Sequence, residues 1–173
     1  MRPQGHIVVS VGLGTLFWAR SRDIWTLVIS LLFGVLVDLD HLFDYFYAER
    51  RLTFDLHEFL GTRYWKKSGR LFVLFHGFEY LPLVYLLWQG LRGRRWAVAA
   101  TSAMSVHLLA DHLLNELRPL GYFVLYRLVH GFRAADLLDL PKSRRLEAAR
   151  AEREAQGRAG HLPLRGRLIN FFV

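Results

Sequence analysis

Apolar residues dominate four stretches of the chain, roughly 6–19, 24–43, 71–91 and 96–117. Each is too long for a strand, and only Pro82 interrupts them, so the spacing predicts four helices. Turns rich in arginine and glycine, Ala19–Asp23 and Gly90–Arg95, join the first to the second and the third to the fourth. Two helical hairpins follow, which predicts an all-α, up-down four-helix bundle. Between the hairpins lies a polar, aromatic connector, 44–70, carrying Arg50, Arg51, Arg63, Lys66, Lys67 and Arg70. After Pro119, the apolar piece Gly121–Leu140 is too broken by Arg127, His130 and Arg133 to span a bilayer. Residues 143–156 read as a solvated Ala/Glu/Arg helix. The expected organisation is a helical bundle over 1–141 and a basic, partly helical tail over 142–173.

A shift of 71 residues lays Trp25 on Trp96, Asp40 on Asp111, His41 on His112 and Leu42 on Leu113. Two hairpins related by a pseudo-twofold axis would produce that match. In an up-down bundle, connectivity alone puts His6, Asp38–His41, His76 and His107–Asp111 at one end, opposite the Arg/Trp turns. Ionisable groups in apolar company persist mainly where they pair, bind a metal or line a polar cavity.

A lone histidine on an apolar helix is usually a hydrogen-bonded core residue, and Asp-x-Asp can be a surface turn. Convergence from four segments is what favours a metal. His107, Asp111 and Asn115 recur at i, i+4, i+8 on one helix face. His112 is turned about 100° from them. His41 and Asp44, like His76 and Glu79, stand one turn apart. The candidate metal ligands are therefore His6, Asp38, His41, His76, His107 and Asp111. Nitrogen and oxygen donors without sulfur suit zinc first, with manganese or iron as options. Asp40 and Glu79 are candidates for a general base, Arg70 and Arg118 for holding phosphate, and Asn115 for touching substrate. His57, His130 and His161 lack such context.

Composition bears on where such a protein works. Of 173 residues, 53% are hydrophobic and 22% charged, with a net charge of +8. The tail from Lys142 holds eight Lys/Arg against three Glu, an excess that suits anionic lipid headgroups. The basic residues follow no nucleic-acid motif, which argues against that class of partner. The absence of cysteine excludes disulfides, thiolate zinc sites and thiol catalysis. Arg2 and the run Ile7–Ala19 imitate a signal peptide, but Arg20-Ser21-Arg22-Asp23 lacks a small-residue cleavage pattern, so a retained helix is expected. Trp18 and Trp25 bracket one arginine turn, and Trp88 and Trp96 the other, as a membrane interface selects. These features predict a multi-pass cell-membrane protein. The basic connector and tail tilt the site end towards the cytoplasm.

Gly5-His6, the run Gly34-Val35-Leu36-Val37-Asp38-Leu39-Asp40-His41, His76 and His107-Leu-Leu-Ala-Asp111 together resemble the membrane-bound metal-dependent hydrolases, the YdjM-like group. The likeness covers roughly residues 5–117. More distantly, the His-x-x-x-Asp helix is similar to that of zinc-dependent phospholipases C. The resemblance implies hydrolysis at a metal centre. The chain departs from the group at Val37, where proline is favoured, and around His76, where Phe75-His76-Gly77 replaces a Thr-His-Ser segment. The expected activity is cleavage of an ester, above all a phosphoester, in a small-molecule or lipid-like substrate by a metal-activated water. The competing readings are non-enzymatic: a metal or proton transporter component, or a structural scaffold with a basic tail.

Overall fold

A computed structural model describes residues 3–60 and 64–158. Arg2, Arg63, His161 and the tail beyond 158 lie outside the described residues. Among the described residues the structure is all-helical, with no strand. In chain order the helices are α1 (Pro3–Ser21), α2 (Ile24–Val35), α3 (His41–Glu49), α4 (Leu56–Leu60), α5 (Tyr64–Ser68), α6 (Tyr80–Arg92), α7 (Arg94–Leu114), α8 (Val124–Val129), α9 (Ala134–Leu137) and α10 (Leu140–Arg158). Short 3₁₀ helices fill Leu36–Asp40 and Pro119–Tyr122.

α2 packs on both α1 and α7, and α6 packs on α7 and meets α2 through Phe33 and Trp88. Small residues permit these approaches. α7 buries Ala97, Ala99, Ala100 and Ala103. Gly14 of α1 lies against Leu27 and Ser30 of α2, and Gly34 of α2 against Ser10 of α1. Close backbone contact through Gly, Ala and Ser is how helices associate where lipid removes the hydrophobic drive. At the end of the molecule opposite the His/Asp residues, Asp23 ties the two hairpin turns together. One of its carboxylate oxygens accepts the Trp25 amide at 3.0 Å and caps α2, while the other accepts Trp96 Nε1 at 2.7 Å.

Two apolar stretches are not continuous helices. The second breaks after Val35 into the 3₁₀ helix Leu36–Asp40 and resumes as α3. In 3₁₀ geometry positions i and i+3 eclipse, which aligns Asp38 with His41. The third becomes helical only at Tyr80. Residues 71–79 are irregular because carboxylates take up their amides: Asp44 accepts from Phe72 and Val73, and Asp40 accepts from Phe75. Pro82 then falls in the first turn of α6, where its missing N–H removes no helical bond.

Two segments, Ile24–Glu49 (26 residues) and Arg94–Leu114 (21 residues), are long and apolar enough to cross a membrane. α6, at 13 residues, spans about 20 Å and is shorter than a bilayer core.

Gly34 sets the tightest contact between α1 and α2. A Cβ there would overlap Ser10 Oγ and come within 2.9 Å of Ser10 Cβ. Gly34→Ala should lower stability by about 1–3 kcal/mol, read as a fall in thermal midpoint in detergent. Adding Ser10→Gly should return most of the loss, and an unchanged midpoint in Gly34→Ala would show that the helices are not so close.

Candidate metal centre

The six candidate ligands reach the centre from five elements. α1 brings His6, the 3₁₀ helix brings Asp38, the start of α3 brings His41, the irregular segment brings His76, and α7 brings His107 and Asp111 one turn apart. His6, Asp38, His107 and Asp111 place ligand atoms within 4.8 Å of one another, and Asp38, His41 and His76 form a second such set. His6, His76, His107 and Asp111 are all buried. The Asp38 and His41 side chains are 21% and 23% exposed, so the cluster opens to its surroundings on their side.

The hydrogen bonds settle which ring nitrogens face inward. His107 Nδ1 lies 2.9 Å from the Gly34 carbonyl, which can only accept, so Nδ1 carries the proton and Nε2 offers its lone pair. His76 Nδ1 lies 3.0 Å from Asp40 Oδ2 and so carries a proton too. The two Nε2 atoms then meet at 3.1 Å. That approach is favourable only with positive charge between them, either a proton on His76 Nε2 donated to His107 or a metal ion.

Two carboxylate oxygens complete the arrangement. Asp38 Oδ1 lies 3.3 Å from His76 Nε2 and 3.5 Å from His107 Nε2. Asp111 Oδ2 lies 3.4 Å and 3.5 Å from the same two nitrogens. Ligands about 2.0–2.1 Å from a tetrahedral ion stand about 3.3–3.4 Å from each other. Five of the six edges match, so these four residues can hold a metal ion, as can the set in which His6 takes the place of His76.

The remaining groups support this set from behind. His6 Nε2 contacts the other Asp111 oxygen at 3.0 Å, and its ring stacks on His107 at 3.9 Å. Asp40, besides holding His76, accepts the Phe75 amide at 2.6 Å. Partners on the outer nitrogen of a ligating histidine fix its tautomer and orientation. His41 stands at the margin, with Nε2 3.8 Å from Asp38 Oδ1 and Nδ1 2.6 Å from the Tyr64 hydroxyl. Burial and the negative charges of Asp44, Asp40 and Asp38 push the Tyr64 phenol up, so it keeps its proton. Burial alone would lower the pKa of His76, but Asp40, Asp111 and Asp38 raise it well above the usual value. The cluster favours positive charge at its centre, whether a proton or a metal ion.

Other expected site residues are engaged elsewhere. The Glu79 carboxylate accepts the Val124 and Leu125 amides at the start of α8. Asn115 ends α7 and its side chain meets Tyr122. Arg118 Nε donates to the Leu138 carbonyl at 3.0 Å, and Arg70 is exposed, its backbone bridged to Arg133. Nor do the repeat mates play matching parts. Asp111 faces the centre while Asp40 stands behind His76, and His41 faces it while the His112 ring lies against Phe78 and Tyr122.

Sequence reasoning missed the Gly34 carbonyl, Tyr64, Asp44 as an amide acceptor, and the buried Arg127, which donates to the His76 carbonyl at 3.1 Å. A main-chain acceptor leaves no trace in residue type. Arg127 did carry a signal, as a charge inside an otherwise apolar run.

No protein-family model, no curated protein and no solved structure matches this chain.

Because a metal ion and protons compete for the same nitrogens, apparent zinc affinity should rise with pH between about pH 6 and 8. The raised pKa of His76 extends that competition above the usual histidine range. Zinc titrations against a competing chelator dye at several pH values would read this, and a flat profile would show that the histidines are not ligands.

Proposed function

We propose that this protein is a membrane-embedded metal-dependent hydrolase, related to the YdjM-like group, that cleaves an ester or phosphoester in an amphipathic, lipid-like substrate. The observation that carries the reading is the convergence of His76 Nε2, His107 Nε2, Asp38 Oδ1 and Asp111 Oδ2 at ligand spacing, with both histidines' outer nitrogens held by protein acceptors. Zinc fits such a tetrahedral N₂O₂ set first. When bound, the ion would supply Lewis acidity and a water of lowered pKa.

The residues of the chain do the rest. Asp40 and the Gly34 carbonyl hold the Nδ1–H of two imidazoles so that both Nε2 atoms aim inward, and His6 orients Asp111. At the open side, Tyr64 gives its hydrogen bond to His41 Nδ1, which leaves the proton on Nε2 facing Asp38. The His41 Nε2–H can thus donate a hydrogen bond to the departing oxygen. The buried walls of the site exclude bulk water everywhere else.

The surface supports the membrane. α6 exposes Leu83, Leu86, Leu87 and Leu91 at helical spacing, and α1 exposes Leu16 and Trp18. Unpartnered apolar stripes of this extent suit lipid. We read α1, α2, α6 and α7 as the up-down bundle, multi-pass, with the site at the headgroup level of the cytoplasmic face. Next to the open side in the chain, Leu36, Leu39 and Phe43, and Phe75 beside His76, are also exposed. A substrate with acyl chains could rest on that rim while its ester linkage reaches Asp38.

One observation favours a second reading. Four protein ligands fill a tetrahedral ion, as in structural zinc sites, and catalysis requires a fifth position on the Asp38 side. Purified protein in detergent should hold about one zinc equivalent and hydrolyse phosphoester lipids in mixed micelles. Asp111→Asn should keep the helical circular-dichroism signal and lose both. Full zinc loading without turnover on carboxylic or phosphoric ester lipids would favour the structural ion. A protein that takes up no divalent metal would sink both readings.

A further inference from the structure

Arg127 is the largest fully buried side chain among the described residues, with 0% exposure. A guanidinium rarely enters a protein interior without compensation, because desolvating the charge is costly. Here the hydrogen bonding is incomplete. Nη1 donates to the His76 carbonyl at 3.1 Å and to the Gly121 carbonyl at 2.9 Å, while Nε and Nη2 have no partner among the described residues. Asp40 Oδ1 and Glu79 Oε2 are buried acceptors likewise left without a partner. Burial pulls the Arg127 pKa down, and Asp40 and then Glu79 are the strongest charges pushing it back up. Arg127 therefore sits in the field of the carboxylate that orients His76, with its donors on the main chain of His76 itself.

His76 needs such support more than the other histidines do. His6 and His107 are carried by helices, whereas His76 rides on the irregular segment 71–79. Its neighbours in that segment are pinned by Asp44, Asp40 and the Tyr122 carbonyl, which accepts the Phe78 amide at 3.0 Å. The carbonyl of His76 is pinned by Arg127 alone among the side-chain contacts described. Charge points the same way. Arg127 offsets part of the negative charge that Asp40 and Glu79 place beside His76.

We propose that Arg127 is a positioning residue of the metal centre: it fixes the backbone that presents His76 and balances the charge of Asp40, so that metal affinity depends on it although it touches no ligand atom. This rests on reading the cluster as a metal centre. It also makes the segment after α7, which sequence marks only as an interrupted apolar run, part of the site.

The test uses the full chain in detergent, with zinc affinity measured by chelator competition and folding by circular dichroism. Arg127→Gln should weaken zinc binding about 10–100-fold with helicity retained, as loss of an outer-shell partner does. Arg127→Lys keeps the charge without the planar fork and should fall between. Arg133→Gln, an exposed arginine nearby in sequence, should match the wild type. Combining Arg127→Gln with Asp40→Asn should cost less than the product of the two single losses, because each change removes the charge the other must balance. Zinc affinity within about twofold of wild type in a folded Arg127→Gln would overturn the proposal, as would losses that simply multiply in the double variant. Should Arg127→Gln fail to fold, wild-type affinity in Arg127→Lys would overturn it instead. A wild type that binds no zinc would refute the metal centre itself, a result distinct from any of these.

Discussion

Two carboxylates that share the same two histidine partners dictate much of this structure. Asp38 and Asp111 turn oxygens towards the same two histidine nitrogens, and those nitrogens are themselves only 3.1 Å apart. Two anions and two lone pairs pointing at one volume are mutually repulsive, and low polarity around them magnifies the repulsion. Only positive charge, from a proton or a metal ion, makes the arrangement favourable. Everything that holds these four groups in place therefore works against electrostatics unless positive charge is supplied.

The scaffolding is correspondingly rigid. Four of the six clustered residues sit in α-helix or at a helix start, and the fold departs from α-helix at two places that each deliver a ligand. The 3₁₀ helix carries Asp38, and the irregular segment carries His76. In both, polar groups from neighbouring elements replace the lost helical bonds. Asp44, Asp40 and Arg127 do for residues 71–79 what an intrahelical ladder does elsewhere. A buried irregular backbone is tolerated because its amides and carbonyls find side-chain partners.

That explains what could be read from residues alone. Connectivity brings His6, Asp38, His76, His107 and Asp111 to one end whatever the details of packing, so their grouping was legible from four apolar runs and two arginine turns. Sorting carboxylates by role was not. Asp38, Asp40, Asp44 and Glu79 all lie near histidines in sequence, yet Asp38 alone of these four faces the centre, while the others accept main-chain amides. Spacing fixes which face a side chain occupies, but not whether an ion or a backbone N–H waits there. Hydropathy had the same limit at 71–79, where apolar residues suit a buried loop as well as a buried helix.

The helix break at Leu36 also decides how the centre communicates with its surroundings. Had α2 continued through Asp38, His41 would sit about 60° off the eclipsed position it takes above Asp38. The 3₁₀ helix instead lines up Asp38 and His41 at the one partly exposed edge of the cluster, with Tyr64 behind the histidine. The three buried histidines and Asp111 have no comparable exposure. Any ion entering the site from this edge must therefore pass the same two side chains. A catalytic and a structural ion would differ at this edge: a catalytic one needs Asp38 to yield space for substrate, and its partial exposure, unlike the enclosure of Asp111, gives it that freedom.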